Sequence, residues 1–208
     1  MAFRVAILAN FDPDEQGGSE MLSRMTTLLR YSRTSATEIT IHAAIRGDAF
    51  PDPYEYDLVI LTGGPFNLLK HTEENERPEW VRRTLGWIQE TVKIHEASGL
   101  SEPGSKKKAK LDIQKNHALV VTHPGPYLTP VASGSSSQNE VLLSHSPPIL
   151  TFQGHPEMDA ALARLFAGFA TGGASDRADW VPSEGLKGID DIHDGEAILR
   201  RVVAWAGE

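Results

Sequence analysis

Cysteine is absent from the 208 residues, which excludes disulfides, thiolate metal sites and a cysteine nucleophile. Long apolar runs are missing as well. The first one, Val5 to Ala9, is strand length, stops at Asn10-Phe11-Asp12 and lacks the architecture of a signal peptide. No later run reaches the ~20 apolar residues that a bilayer span needs. A cytoplasmic address and no membrane contact are therefore expected. Positive charge is scarce: 20 Lys and Arg stand against 28 Asp and Glu, for a net charge of −8. Phosphate attraction needs a positive surface, so nucleic acid and anionic membranes are not expected partners. The only basic run, Lys106-Lys107-Lys108-Ala109-Lys110, lies among Gly and Ser and reads as a solvated loop. Internal repeats and linker-like stretches are lacking too. At ~100–200 residues per domain, the expectation is a single domain over 1–208.

What is present is an apolar fraction of 40%, a charged fraction of 23%, 18 Gly and 13 Pro, the profile of a globular chain rich in loops. "FRVAILAN" (3–10) reads as a buried opening strand. From Ser19, the residues Met21, Leu22, Met25, Leu28 and Leu29 recur at helical spacing. "TEITIHAAI" (37–45) alternates and is β-branched, whereas "DLVILTGGP" (57–65) is apolar until Gly-Gly-Pro halts it. A continuous apolar strand belongs in a parallel sheet covered on both faces. "RPEWVRRTLGWIQETVKIHE" (77–96) has Pro78 early and Trp80, Leu85, Ile88 and Val92 on one side of a helix. The front half thus reads β-α-β-β-α, an α/β fold with a mainly parallel sheet flanked by helices.

After such a helix another parallel strand is due. "ASGLSEPGSKKKAKL" (97–111) stands there instead, with no apolar run, and an exposed, mobile loop over 98–110 is expected. The back half carries short strands, "HALVV" (117–121), "NEVLL" (139–143) and "ILTF" (149–152), joined by Pro- and Gly-rich connections. Tight turns between short strands suggest antiparallel pairing at one edge. "DAALARLFAGFA" (159–170) and "EAILRRVVAWAGE" (196–208) read as helices.

Two places concentrate residues with chemical use. Thr62-Gly63-Gly64-Pro65 follows the third strand. Glycines there let the backbone turn sharply and aim free N–H groups into a cleft at the carboxyl end of the sheet, where they can bind an anion or an oxyanion. A plain tight turn fits the same string. Gly154-His155-Pro156-Glu157 follows the last strand. A histidine serves as a base near neutral pH when a carboxylate fixes its tautomer, and Pro156 stiffens the turn between the two side chains. A surface histidine before a helix, with Glu157 favouring the helix N-terminus, fits equally.

Taken together, "YDLVILTGGP" and "LTFQGHPE" resemble landmarks of the class I (triad) glutamine amidotransferase domain. The likeness is strongest to stand-alone proteins related to the amidotransferase half of GMP synthase. "RPEWVRRTLGWIQETVK" and "LDIQKNHALVV" also look like family segments, and the Trp-rich helix with "FQGHPEMD" points to the fungal branch. The resemblance implies a flavodoxin-like fold. It assigns His155 and Glu157 to the triad, and Gly63, Gly64 and Pro65 to the oxyanion and ligand-binding turn. The two turns are then expected to face one cleft. No cofactor is implied, and no His-x-x-x-His helix or regular histidine spacing suggests a metal.

The departure from the family is large. Its members carry a nucleophilic cysteine on a strand–elbow–helix, in a Gly-x-Cys-x-Gly-His-Gln pattern, and this chain has neither the cysteine nor the pattern. The resemblance therefore implies a fold missing the nucleophile strand and its helix. Serine is no substitute: Ser98-Gly99 and Ser133-Gly134-Ser135 lack the strand-then-helix flanks of an elbow. The expected protein lacks glutaminase activity and acts as a binding or partner subunit. Its expected partners are a synthetase or other biosynthetic protein and a glutamine-like small molecule. Two alternatives stay open: an enzyme of other chemistry with His155 as general base, or a shortened, inactive product of an active amidotransferase.

Overall fold

Seven consecutive residues with one charge among them, Phe3 to Ala9, can be covered on both faces only at the centre of a sheet. That is where β1 (Phe3–Ala9) lies, with every side chain but Arg4 buried. The computed structural model describes residues 2–33, 36–66, 68, 70–96, 112–115, 120–125, 127–134, 137–145, 148–171 and 188–207. Contacts gather the chain into two compact units, 1–94 with 199–208, and 95–198. The expected loop at 98–110 lies outside the described residues.

In the first unit, β1 is flanked by β2 (Thr37–Ala43) and β3 (Leu58–Leu61), all parallel, in the order β2-β1-β3. The registers run from Phe3 opposite Thr37 to Ala9 opposite Ala43, and from Val5 opposite Leu58 to Leu8 opposite Leu61. This is the opening strand order of a flavodoxin-like sheet. Helix α1 (Gly18–Tyr31) connects β1 to β2. Its first turn is closed by Glu20, whose carboxylate accepts the Gly17 N–H at 2.7 Å, and acid there also suits the helix dipole.

The face that the spacing predicts, Met21, Leu22, Met25, Leu28 and Leu29, is the buried one. Leu22, Met25 and Leu29 pack with Phe3, Val5 and Ile7 of β1 and with Val203 of α4 (Gly195–Trp205). A fully buried leucine such as Leu29 contributes roughly 1.5–3 kcal/mol through burial.

Side chains alternate along a strand, so Ala6, Leu8 and Asn10 point to the other face. There Asn10 meets Thr84 of α2 (Glu79–Glu96). Helix α2 also clamps the 47–51 loop. Trp87 Nε1–H donates to Pro51 O at 3.0 Å, Arg83 donates to Asp48 O at 2.8 Å, and the Arg83 guanidinium lies 4.7 Å over the Phe50 ring. The result is α/β: a parallel sheet flanked by helices on both faces.

The second unit holds β4 (Thr129–Ala132), β5 (Val141–His145) and β6 (Pro148–Phe152), antiparallel in the order β4-β5-β6, followed by α3 (Ala160–Thr171). Asp159 caps α3 by accepting the Leu162 N–H at 3.0 Å. The short strands expected at an edge thus form a sheet of their own. Strand β4 lies where the sequence reads as a Pro- and Gly-rich connection, and it includes Pro130. It is an outer strand with a register shift between Pro130 and Ala132, a position where a missing N–H is tolerated. Of the strand expected at 117–121, the described residues Val120 and Val121 are not in a strand. Their exposure, 44% and 38%, removes the burial that would favour one.

Candidate functional site

The 153–157 turn is built by its neighbours. As the chain leaves β6, His155 N–H donates to Gln114 O at 2.8 Å, a single antiparallel bridge. Gly154 makes that approach feasible, since a Cβ there would come within 3.1 Å of Gln114 O and 3.0 Å of the Ile113 side chain. The 112–115 segment is itself anchored. Asp112 and Asp194 exchange hydrogen bonds, Gln114 Nε2–H donates to Ile189 O at 3.1 Å, and Lys115 pairs with the buried Glu140. Gln153 does comparable work on the other side. Its amide nitrogen donates to Asn139 O at 2.8 Å and Ser137 Oγ at 3.0 Å, and its amide oxygen accepts the Val121 N–H at 2.8 Å.

Within this frame His155 Nδ1 lies 2.8 Å from Glu157 Oε1. The carboxylate is buried, whereas the imidazole is a quarter exposed. Met158, which follows, is 1% exposed and donates its N–H back to His155 O at 3.1 Å. The carboxylate thus holds a proton on Nδ1 and leaves Nε2 as the ring nitrogen open to accept one. That is the division of labour between an orienting acid and a base. Among the described residues no group of three or more His, Asp or Glu could hold a metal ion.

The other candidate turn lies in the first unit, at the carboxyl end of β3. Thr62 N–H still donates to Leu8 O at 3.1 Å, continuing the ladder for one residue. Asn10 then closes the gap between the strand ends. Its N–H donates to Thr62 Oγ1 at 3.0 Å and its side-chain Nδ2–H to Thr62 O at 2.8 Å. Gly64 sits against the same residue, where a Cβ would come 2.5 Å from Asn10 O. Gly63 faces open space, and Gly63, Gly64 and Pro65 are all exposed. Among the described residues the N–H groups of Gly63 and Gly64 donate to no acceptor, so both are available to an oxygen from outside.

Sequence reasoning missed the residues that hold these turns: Gln114, Gln153 and Asn139 for one, Asn10 and Thr84 for the other. Asn10 is a lone amide directly after a continuous apolar strand, a pattern that marks the position without telling what the side chain meets.

The parallel sheet with helices on both faces is consistent with a flavodoxin-like fold of the glutamine amidotransferase type. No known family profile matches the chain. Two curated relatives do. The chain is 42% identical to the glutamine amidotransferase-like protein chry6 of Gibberella zeae, over 99% of this chain and 95% of that protein. It is 23% identical to the glutamine amidotransferase-like protein chyE of Penicillium rubens, over 99% and 97%. The chain belongs to the glutamine amidotransferase-like family. The first match extends over 244 aligned positions against 208 residues, so at least 36 positions of that relative have no residue opposite them here. Among the described residues no helix is long and apolar enough to cross a membrane.

Proposed function

We propose that this protein is a class I glutamine amidotransferase-like domain, related to the amidotransferase half of GMP synthase and spanning 1–208. In this reading it has lost glutamine hydrolysis and works as a cytoplasmic binding or partner subunit. The observation that carries the proposal is a mismatch: the His155–Glu157 pair is built at 2.8 Å in a chain without a single cysteine. Amide hydrolysis by the family route needs a thiolate to attack the amide carbon and expel ammonia, and water then to release the acyl group. Members of such a constellation act as a unit, so the base and its orienter do not restore the route alone. The 36 or more unmatched positions of the Gibberella relative leave room for the loss of a whole strand–elbow–helix rather than one substituted residue. The retained Gly63–Gly64 turn suits binding: among the described residues its two N–H groups have no acceptor, and they can take a carboxylate or amide oxygen of a glutamine-like molecule. The macromolecular partner in this reading is a synthetase or other biosynthetic protein that takes ammonia from elsewhere.

The test is ammonia release from L-glutamine by the purified protein, alone and with an added synthetase. Background rates are expected, and His155→Ala should leave them unchanged. Robust release that disappears in His155→Ala overturns the proposal and requires another nucleophile.

A second reading rests on the same pair. Because Nδ1 faces Glu157, the other ring nitrogen is placed to act as a general base in chemistry that needs no covalent intermediate. Turnover of any non-amide substrate that is lost in both His155→Ala and Glu157→Ala would favour it.

A further inference from the structure

We infer that Asn10 is a positioning residue for the Gly63–Gly64 turn: its buried carboxamide fixes the turn in the conformation that leaves both glycine N–H groups without an internal acceptor, and Thr84 ties that hold to α2. This rests on the reading of the turn as a site for a ligand oxygen.

Asn10 is 7% exposed and stands where β1 ends. A buried amide is costly unless its donors and acceptor are used. Here the nitrogen end donates to Thr62 O at 2.8 Å, which sets which way the amide faces. The oxygen end then faces Thr84 Oγ1 at 3.3 Å. The Thr84 hydroxyl also lies 2.8 Å from Trp80 O in its own helix, so its single proton is shared between the two acceptors. The backbone of Asn10 contributes as well, through its N–H to Thr62 Oγ1 and through the contact of its carbonyl with Gly64. One residue thus touches the turn at Thr62 and at Gly64, on either side of Gly63.

The location makes the hold matter. In the order β2-β1-β3 the chain crosses from one side of β1 to the other, and the crevice between the carboxyl ends of β1 and β3 is the switch point where open α/β sheets take ligands. The Asn10–Thr62 bonds span that crevice. Without them the turn keeps its local hold, Thr62 Oγ1–H to Gly63 O at 2.9 Å, and loses its tie to Asn10 at the end of β1 and with it part of its preorganisation. Helix α2 adds a second hold, because Trp80 meets Phe66, just past the turn, edge-on at 6.3 Å between ring centroids.

The experiment is an amide-resolved titration of the full chain with L-glutamate, whose carboxylate supplies the oxygen. It compares wild type, Asn10→Ala, the near-isosteric Asn10→Leu, Thr84→Val and Thr84→Ser, with melting curves confirming which variants fold. In wild type the Gly63 and Gly64 amide resonances should move with L-glutamate. In the folded Asn10 variants they should start from different shifts, exchange faster with solvent and bind L-glutamate about tenfold more weakly. Thr84→Val should shift the same two resonances in the same direction by a smaller step, and Thr84→Ser should restore them. A merely structural role would lower the melting temperature while leaving these amides and the affinity as in wild type, and that result overturns the assignment of Asn10. A wild-type protein whose Gly63 and Gly64 resonances ignore L-glutamate overturns the ligand reading, and with it the proposal.

Discussion

Nδ1 of His155 lies 2.8 Å from Oε1 of Glu157, and the carboxylate is 7% exposed while the imidazole is 25% exposed. The acid is therefore the structural half of the pair and the histidine the half that meets solvent. Removing the acid leaves Nδ1–H without its acceptor and leaves the space of a buried side chain unfilled. Glu157→Ala should destabilise the protein by roughly 1–3 kcal/mol, read as a lower urea midpoint at unchanged slope. Glu157→Gln keeps an oxygen in place and should cost less than half as much. Equal effects from the two substitutions would show that the bond carries no stability.

The two glycines of the 62–65 turn should behave differently. A Cβ at Gly64 would lie 2.5 Å from the carbonyl oxygen of Asn10, whereas one at Gly63 would meet nothing within 4 Å. Neither has a positive φ, so the difference is purely one of space. Gly64→Ala should lower stability by about 1–3 kcal/mol, the usual range for overpacking. Gly63→Ala should stay within about 0.5 kcal/mol of wild type. Paired denaturation curves check this, and a Gly63→Ala loss as large as that of Gly64→Ala would contradict the geometry.

Gly195 opens α4, and a Cβ there would lie 2.1 Å from Pro156 O, between His155 and Glu157. Neither the helix start nor the proline turn has a flexible end to yield. Gly195→Ala should therefore push the turn away, costing about 1–3 kcal/mol and shifting the His155 ring resonances. A variant with wild-type stability and unchanged His155 resonances would show that this contact is looser than described.

Asp12 predicts a pH effect. Its carboxyl is held below its ordinary value of 3.8, first by the Asp14 N–H and then by the Arg46 guanidinium. Glu20 is likewise held below 4.5, first by the Ser19 hydroxyl and then by backbone N–H groups that include Gly17. A folded-state value below the unfolded one means that the unfolded chain binds the proton first. The stabilisation is therefore complete above the ordinary values and fades as pH falls through the lowered folded ones. Denaturation midpoints should be level from pH 7 to about 5 with respect to these two groups and drop below about 4.5. Asp12→Asn should make that drop shallower. A drop as steep in the variant as in wild type would remove Asp12 from the account.

What the sequence by itself determined is whatever depends on neighbours along the chain. The apolar run of β1, the 3.6-residue spacing of α1 and the Pro-led start of α2 give the elements within one or two residues of the observed bounds. Their order gives the parallel sheet, because strands joined through helices pair that way. His155 and Glu157 were legible as a pair because a stiff three-residue turn leaves little choice about where they point. Tertiary structure alone decided what holds each candidate turn. Asn10 reaches Thr62 and Thr84 across 52 and 74 positions, and Gln153 reaches Val121 across 32. Hydrogen bonds of that span have no periodicity to betray them: an amide after a strand looks the same whether it faces water or bridges two strand ends. The separate β4-β5-β6 sheet was settled at the same level. Strands of four or five residues carry too little pattern to fix their partners, and Pro130 could be placed in a strand only once that strand was seen to stand at an edge.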